Sequence, residues 1–79
     1  MKNKEEILHK IQLVFRDVFK DENLIINFDS SAGSVPGWDS ITNILLIDAI
    51  EEIFAIEFPI DVIYESQNIG DWINYILSN

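Results

Sequence analysis

Gly37-Trp38-Asp39-Ser40-Ile41 runs directly into Thr42-Asn43-Ile44-Leu45-Leu46-Ile47-Asp48-Ala49-Ile50, and this join between a turn and an apolar-rich helical pattern decides how the chain folds. A helix is predicted from Ser40 to about Ala55, with Asp39 as its N-cap, because a carboxylate there accepts a backbone N–H and complements the helix dipole. Ser40 then keeps its hydroxyl free. A serine in that position is expected to lie beside unpaired backbone N–H groups at the positive end of the dipole, so a phosphate on its oxygen would be held favourably. The placement points to covalent modification rather than catalysis. Leu46, Ile47, Ile50 and Phe54 form one apolar stripe of this helix, while Ile41, Ile44 and Leu45 form a second that converges on Ser40 and continues to Asp48. A small bundle needs only one stripe for its core. The second is therefore a candidate docking surface, unless the long segment before the helix covers it.

Working outward, apolar residues recur at Ile7, Leu8, Ile11, Val14, Phe15, Val18 and Phe19, which matches one stripe of a 3.6-residue period and predicts a first helix from about Asn3 to Lys20. Asp21-Glu22-Asn23 ends it. The stretch from Asp21 to Asp39 carries Asp29-Ser30-Ser31, Gly33 and Pro36-Gly37, all turn chemistry. A connection longer than about 15 residues needs to pack on the domain or serve a function, and Leu24, Ile26, Phe28 and Val35 are its expected anchors. After Phe58-Pro59, Asp61 is expected to cap a short helical turn from Val62 to about Ser66. A last helix follows, with Asn68 as N-cap, Asp71 three residues on, and Ile69, Trp72, Ile73, Ile76 and Leu77 on its apolar face. The expected fold is all-α: a small four-helix bundle of three longer helices and one short one, with a long loop between the first and second.

At 79 residues the chain reads as a single domain, 1–79, which buries only about 60% of the surface its unfolded form exposes. It has no cysteine and one histidine, His9. Disulfides and thiolate zinc sites are thereby excluded, and a reducing, cytoplasmic setting is expected. No apolar run reaches the roughly 18 residues of a membrane span, and Met1-Lys2-Asn3-Lys4-Glu5-Glu6 lacks a signal peptide's apolar region, so the mature chain is expected to start near Met1. The five basic residues, Lys2, Lys4, Lys10, Arg16 and Lys20, all precede residue 21. Beyond them every charge is negative, within a formal net charge of -9. Such a surface repels phosphate backbones, which argues against nucleic acid, and attracts basic partner surfaces in a salt-dependent way. Taken alone, the acidity would mean only solubility.

The residues resemble the acyl carrier protein family, including the peptidyl carrier domains of modular synthases. Val35-Pro36-Gly37-Trp38-Asp39-Ser40-Ile41 is a version of that family's Gly-x-Asp-Ser-Leu motif with isoleucine in place of leucine. Ala49-Ile50-Glu51-Glu52 with Phe54, the Glu57-Phe58 segment, and Ile69-Gly70-Asp71-Trp72 before Tyr75-Ile76 follow in the family's order and spacing. A bare Asp-Ser pair would signify no more than a helix cap; the combination is far more specific. The resemblance implies a free-standing carrier, not an enzyme. A phosphopantetheinyl transferase would use coenzyme A to attach 4'-phosphopantetheine to Ser40, and the arm would hold acyl or aminoacyl groups as thioesters in a fatty acid, polyketide or other specialised pathway. It implies that Asp39 is the motif aspartate, that Ile41 and Ile44 dock partners, and that Glu51 and Glu52 meet the basic surfaces of loading, condensing or transfer enzymes. Glu51 and Glu52 are adjacent, so they diverge on a helix and form no paired carboxylate site.

Leu45 stands where carriers of fatty acid synthesis typically have an acidic residue, Asp48 where they tend to be apolar, and Ile53 where they are often acidic. The shifted pattern implies a dedicated partner set read through Leu45 and Asp48; the chain is expected to be a monomer. The competing reading is an acidic helical adaptor that is never modified and uses the same apolar face. Enzyme readings have no positive support: no phosphate-binding Gly-Lys-Ser/Thr loop occurs, Asp21-Glu22-Asn23 lacks the glycine and distal glutamate of a calcium loop, and nothing brings His9 to Ser40.

Overall fold

A computed structural model of the protein describes residues 3–79. Met1 and Lys2, the expected chain start and one of the five basic residues, lie outside the described residues. Four helices follow in order: α1 (Lys4–Phe19), α2 (Ser40–Phe54), α3 (Ile60–Glu65) and α4 (Ile69–Leu77). Among the described residues the secondary structure is entirely helical, as the periodicity predicts.

The side chain of Asn3 starts α1 by accepting the Glu6 N–H at 2.9 Å, and Lys20 ends it in the left-handed region at φ 53°. Ala55 ends α2 in the same way at φ 54°, so both helices stop on a residue that tolerates this conformation less well than glycine. α1 packs on α2 and α4, and α3 packs on α4. Their shared core holds Ile7, Ile11 and Phe15 of α1, Leu46, Ile47 and Ile50 of α2, and Ile69, Ile73 and Ile76 of α4.

Two expected core residues sit further out. Leu77 is 42% exposed, because Ile73 and Ile76 already fill the inward face of a helix that ends at that residue. Phe54 is half-buried against the core's edge, with the Lys10 ammonium 5.8 Å above its ring.

The short helix also departs from expectation. It begins two residues earlier than predicted, with Pro59 rather than Asp61 at the N-cap position and no side-chain cap. Proline suits a helix entry because its φ, here -63°, is already helical and it leaves no N–H unpaired. Asp61 lies within the first turn, where its charge still complements the dipole.

The long loop is ordered by specific bonds. Ile26 N–H donates to Gln12 Oε1 at 3.0 Å, and Arg16 Nε donates to the Leu24 carbonyl at 2.8 Å, tying the loop to α1. At its far side, Ile69 N–H donates to the Ser30 carbonyl at 3.0 Å and Gly70 N–H to the Phe28 carbonyl at 2.8 Å. These two carbonyls satisfy donors that a helix start otherwise leaves unpaired. Glycine suits so close an approach, since a Cβ on Gly70 would lie a tight 3.0 Å from the Phe28 carbonyl oxygen and force the backbone there to give. Ile26 and Val35 are buried and Leu24 and Phe28 partly so, which makes all four expected anchors real.

Candidate functional site

Trp38 positions the site. It is buried, with its ring edge-on to Phe15 at 5.2 Å and tilted against Trp72 at 5.3 Å, and its indole N–H donates to Asn43 Oδ1 at 2.9 Å. Just before it, Gly37 turns the chain at φ 88°, a conformation glycine adopts without steric cost. A Cβ there would also press on the Phe19 ring at 3.3 Å. Immediately after this turn and the buried indole, Asp39 and Ser40 lie at the surface. Sequence reasoning missed the anchoring role of Trp38: a tryptophan isolated in a loop has no periodic partner to mark it as core.

Asp39 is the N-cap as predicted. Its carboxylate accepts the N–H groups of Ile41 and Thr42, both at 2.9 Å, while Thr42 Oγ1 accepts the Asp39 N–H at 2.8 Å, a reciprocal capping box. The Thr42 N–H bond is the largest cause that holds its pKa below the ordinary value of 3.8; desolvation ranks next and opposes it, and the bonds from Ile41, the Thr42 hydroxyl and the Asp39 N–H add to the lowering.

One expectation fails here. The N–H groups thought to be unpaired beside Ser40 are taken: Ile41 and Thr42 by the Asp39 carboxylate, and Asn43 by the Asp39 carbonyl at 2.8 Å. The first three N–H groups after Ser40 are thus engaged by Asp39 and offer no ready anion site. The capping carboxylate has a linked consequence. A pKa lowered by folding contributes stability that is complete above the unfolded value and is lost as pH falls through the folded one. Asp39→Ala is therefore expected to lower the melting temperature by a few degrees at pH 7, with the gap to wild type closing below about pH 4; thermal melts across that range check it.

Ser40 is the first residue of α2, exposed, and its hydroxyl has no hydrogen-bond partner among the described residues. Beside it opens a groove of about 400 Å³. Trp38, Ser40 and Ile44 form one wall, Ile63 and Tyr64 of α3 the other, and Trp72 of α4 also lines it. The groove was not legible in the sequence, because it forms only where the turn before α2 and the helices α2, α3 and α4 pack together.

Ile41, Ile44 and Leu45 are 72%, 61% and 52% exposed, so the long loop does not cover them. Asp48 and Glu52 are exposed on the same helix. Among the described residues the one ion pair is Lys20 with Asp17 at 4.0 Å, so the acidic side chains of α2 meet no cation of their own. Glu51 differs. It is partly buried, and its carboxylate accepts the Phe58 N–H at 2.7 Å, bracing the turn between α2 and α3. His9 is exposed on α1, and the described residues contain no cluster of three or more metal-ligating side chains.

The family described as a phosphopantetheine attachment site matches residues 9–76 of the chain. The chain belongs to this family of acyl carrier proteins. It is 28% identical over 74 residues to a protein of Guillardia theta named acyl carrier protein, covering 94% of this chain and 91% of that one. It is 30% identical, also over 74 residues, to an acyl carrier protein of Prochlorococcus marinus (strain MIT 9515), covering 94% and 92%. As a family member the chain is a carrier, and its prosthetic group is covalent 4'-phosphopantetheine. The geometry suits that group: an exposed hydroxyl at a helix start, with a groove alongside that can take part of a flexible arm. No helix among the described residues is long and apolar enough to cross a membrane.

Proposed function

We propose that residues 1–79 form one carrier domain in which Ser40 bears the 4'-phosphopantetheine arm. The observation that carries this is the Ser40 hydroxyl itself, exposed on the first residue of α2 and free of hydrogen bonds to the described residues. Attachment forms a bond from the Ser40 oxygen to the phosphorus on the pantetheine side of coenzyme A and breaks the pyrophosphate bond, so that adenosine 3',5'-bisphosphate leaves and the hydroxyl proton is lost to solvent. The thiol at the end of the arm then holds acyl or aminoacyl groups as thioesters. Chain residues supply position, not catalysis. Asp39 fixes the helix start, and Trp38 anchors the segment from below.

Partners dock on Ile41, Ile44 and Leu45, steered by Asp48 and Glu52, whose unpaired charges favour basic surfaces. Glu51 acts chiefly as a brace for the following turn. These partners are a phosphopantetheinyl transferase and the loading, condensing or transfer enzymes of a specialised pathway, for which the apolar Leu45 and the acidic Asp48 set the choice.

Intact mass after co-expression with a broad-specificity phosphopantetheinyl transferase tests the assignment. The wild type is expected to gain the arm completely and Ser40→Ala not at all. An unmodified wild type, or a modified Ser40→Ala, would refute it. A Ser40→Ala chain that still supported cellular function would favour the unmodified adaptor instead.

A further inference from the structure

A second groove, of about 370 Å³, opens between α1 and α2. Leu13 of α1 and Ile53 of α2 stand in it half exposed, at 49% and 50%, and Lys10, Asp17 and Glu52 carry the charges of its rim. None of Ser40, Ile41 and Ile44 lines it. Lys10, Leu13 and Asp17 belong to a longer stripe that runs the length of α1. At about 100° per residue, Glu6, Lys10, Leu13, Asp17 and Lys20 fall within an arc of about 80°, and all five are exposed. Steps of four and three residues alternate along it, the spacing of a seam that packs against another helix. Only its centre is apolar. From Glu6 the order reads minus, plus, Leu13, minus, plus, and it sums to zero on a chain whose formal net charge is -9.

That order decides what the stripe fits. Turned end for end it is its own complement: with Leu13 on a two-fold axis, Glu6 faces Lys20 of the second copy and Lys10 faces its Asp17, each pair formed twice. A foreign helix carrying one sign of charge would meet repulsion at half of these positions. A second copy meets none. Within the chain these charges are little committed. Among the described residues the one ion pair is Lys20 with Asp17 at 4.0 Å, with side chains 83% and 85% exposed, and such pairs hold weakly. Of the rim charges, Glu52 alone is left over.

We infer that two copies of the chain associate through this face, their α1 helices antiparallel, with Leu13 and Ile53 of both at the centre. The Glu6–Lys20 and Lys10–Asp17 pairs cross between copies and fix the register. One helix face is a small interface, and Glu52 opposes its own copy, so the dimer exchanges with the monomer at a dissociation constant on the order of 0.1–1 mM. Ser40 and the apolar residues beside it lie outside the interface, and the association does not depend on what Ser40 carries.

Sedimentation equilibrium and ¹⁵N-resolved amide shifts of the unmodified full-length protein, from about 20 μM to about 2 mM at one ionic strength, test this. The wild type is expected to gain mass toward a dimer over that range. Its concentration-dependent shifts should fall on the exposed face of α1 and around Ile53, while those of Ser40 and α3 stay fixed. Leu13→Glu should abolish both effects; glutamate is a good helix former at this half-exposed position, and circular dichroism verifies the fold. Lys10→Glu and Asp17→Lys are each expected to weaken association about tenfold, because each sets like charges against one another twice. Mixed one to one, the two single variants should associate at least as tightly as the wild type, since each altered position then meets its opposite. The double variant Lys10→Glu/Asp17→Lys keeps the net charge and should also recover wild-type association. A wild type that stays monomeric at about 2 mM overturns the inference. So do shifts centred on Ile41 and Ile44, association that persists in Leu13→Glu, and single charge variants that do not recover on mixing. Should Leu13→Glu not fold, the wild-type shift map and the mixing result decide.

Discussion

Phe15→Ala is expected to cost about 3–5 kcal/mol of folding stability, the usual range for removing a buried aromatic ring. A chain of 79 residues has only about 4–12 kcal/mol in total at typical stability per residue, so the variant should lose about a quarter of its stability or more. Phe15 is fully buried, and its ring contacts those of Phe19, Trp38 and Trp72 at centroid distances of 5.9, 5.2 and 6.3 Å. It thus joins α1, the long loop and α4 at one point. Its loss also removes the edge-on partner of Trp38, the residue that places Asp39 and Ser40. Urea melts of wild type and variant measure the cost. A difference below about 1 kcal/mol would mean that the neighbouring rings collapse into the space, and that Phe15 is not the centre of the core.

That aromatic cluster marks the division between what was legible in the sequence and what was not. Ile7, Ile11, Val14 and Phe15 announce α1 because they repeat at the helical period, and all four are buried. Asn68 and Asp71 announce α4 through capping chemistry that the structure reproduces: Asn68 Oδ1 accepts the Asp71 N–H at 3.0 Å, and Asp71 Oδ2 accepts the Gln67 N–H at 2.8 Å. Such signals are local, and local physics suffices to read them. Trp38 depends instead on Phe15 and Trp72, far away along the chain, so no window around it reveals its burial. The Pro59 start of α3 was misjudged because an aspartate two residues on offered a more familiar cap, while a six-residue helix has too little periodicity to correct the choice.

The site divides along the same line. Asp39 and Ser40 were legible, since capping preference and helix start identify them together. The state of the nearby N–H groups was not. Naming Asp39 as the cap already implied that its carboxylate would occupy donors, yet how many it takes depends on side-chain geometry, and it takes two. Glu51 was read as one more acidic surface position because nothing in its neighbourhood shows that the chain returns to it seven residues later at Phe58. The groove exists only once α2, α3 and α4 have come together.

Leu45→Arg should leave the fold intact and lower kcat/KM for arm attachment by the transferase about 30-fold, the equivalent of roughly 2 kcal/mol at a docking hot spot. Leu45 is half-exposed in the middle of α2. Arginine is a good helix former, and its aliphatic stem can cover much of the surface that leucine covers, so stability should change by less than about 1 kcal/mol. The surface changes far more. A positive charge replaces an apolar contact between Ile41 and Asp48, and it sits three residues from Asp48, close enough on a helix to pair with that carboxylate and reduce its pull on a basic partner. The variant therefore loses apolar docking and steering at once. Steady-state attachment rates at low and high salt separate the two contributions. The wild-type rate should fall as salt screens the acidic face, whereas the variant should fall less, because part of its attraction is already lost. A variant modified at the wild-type rate, with an unchanged melting curve, would show that the transferase approaches Ser40 from another side and that the exposed apolar face of α2 serves something else.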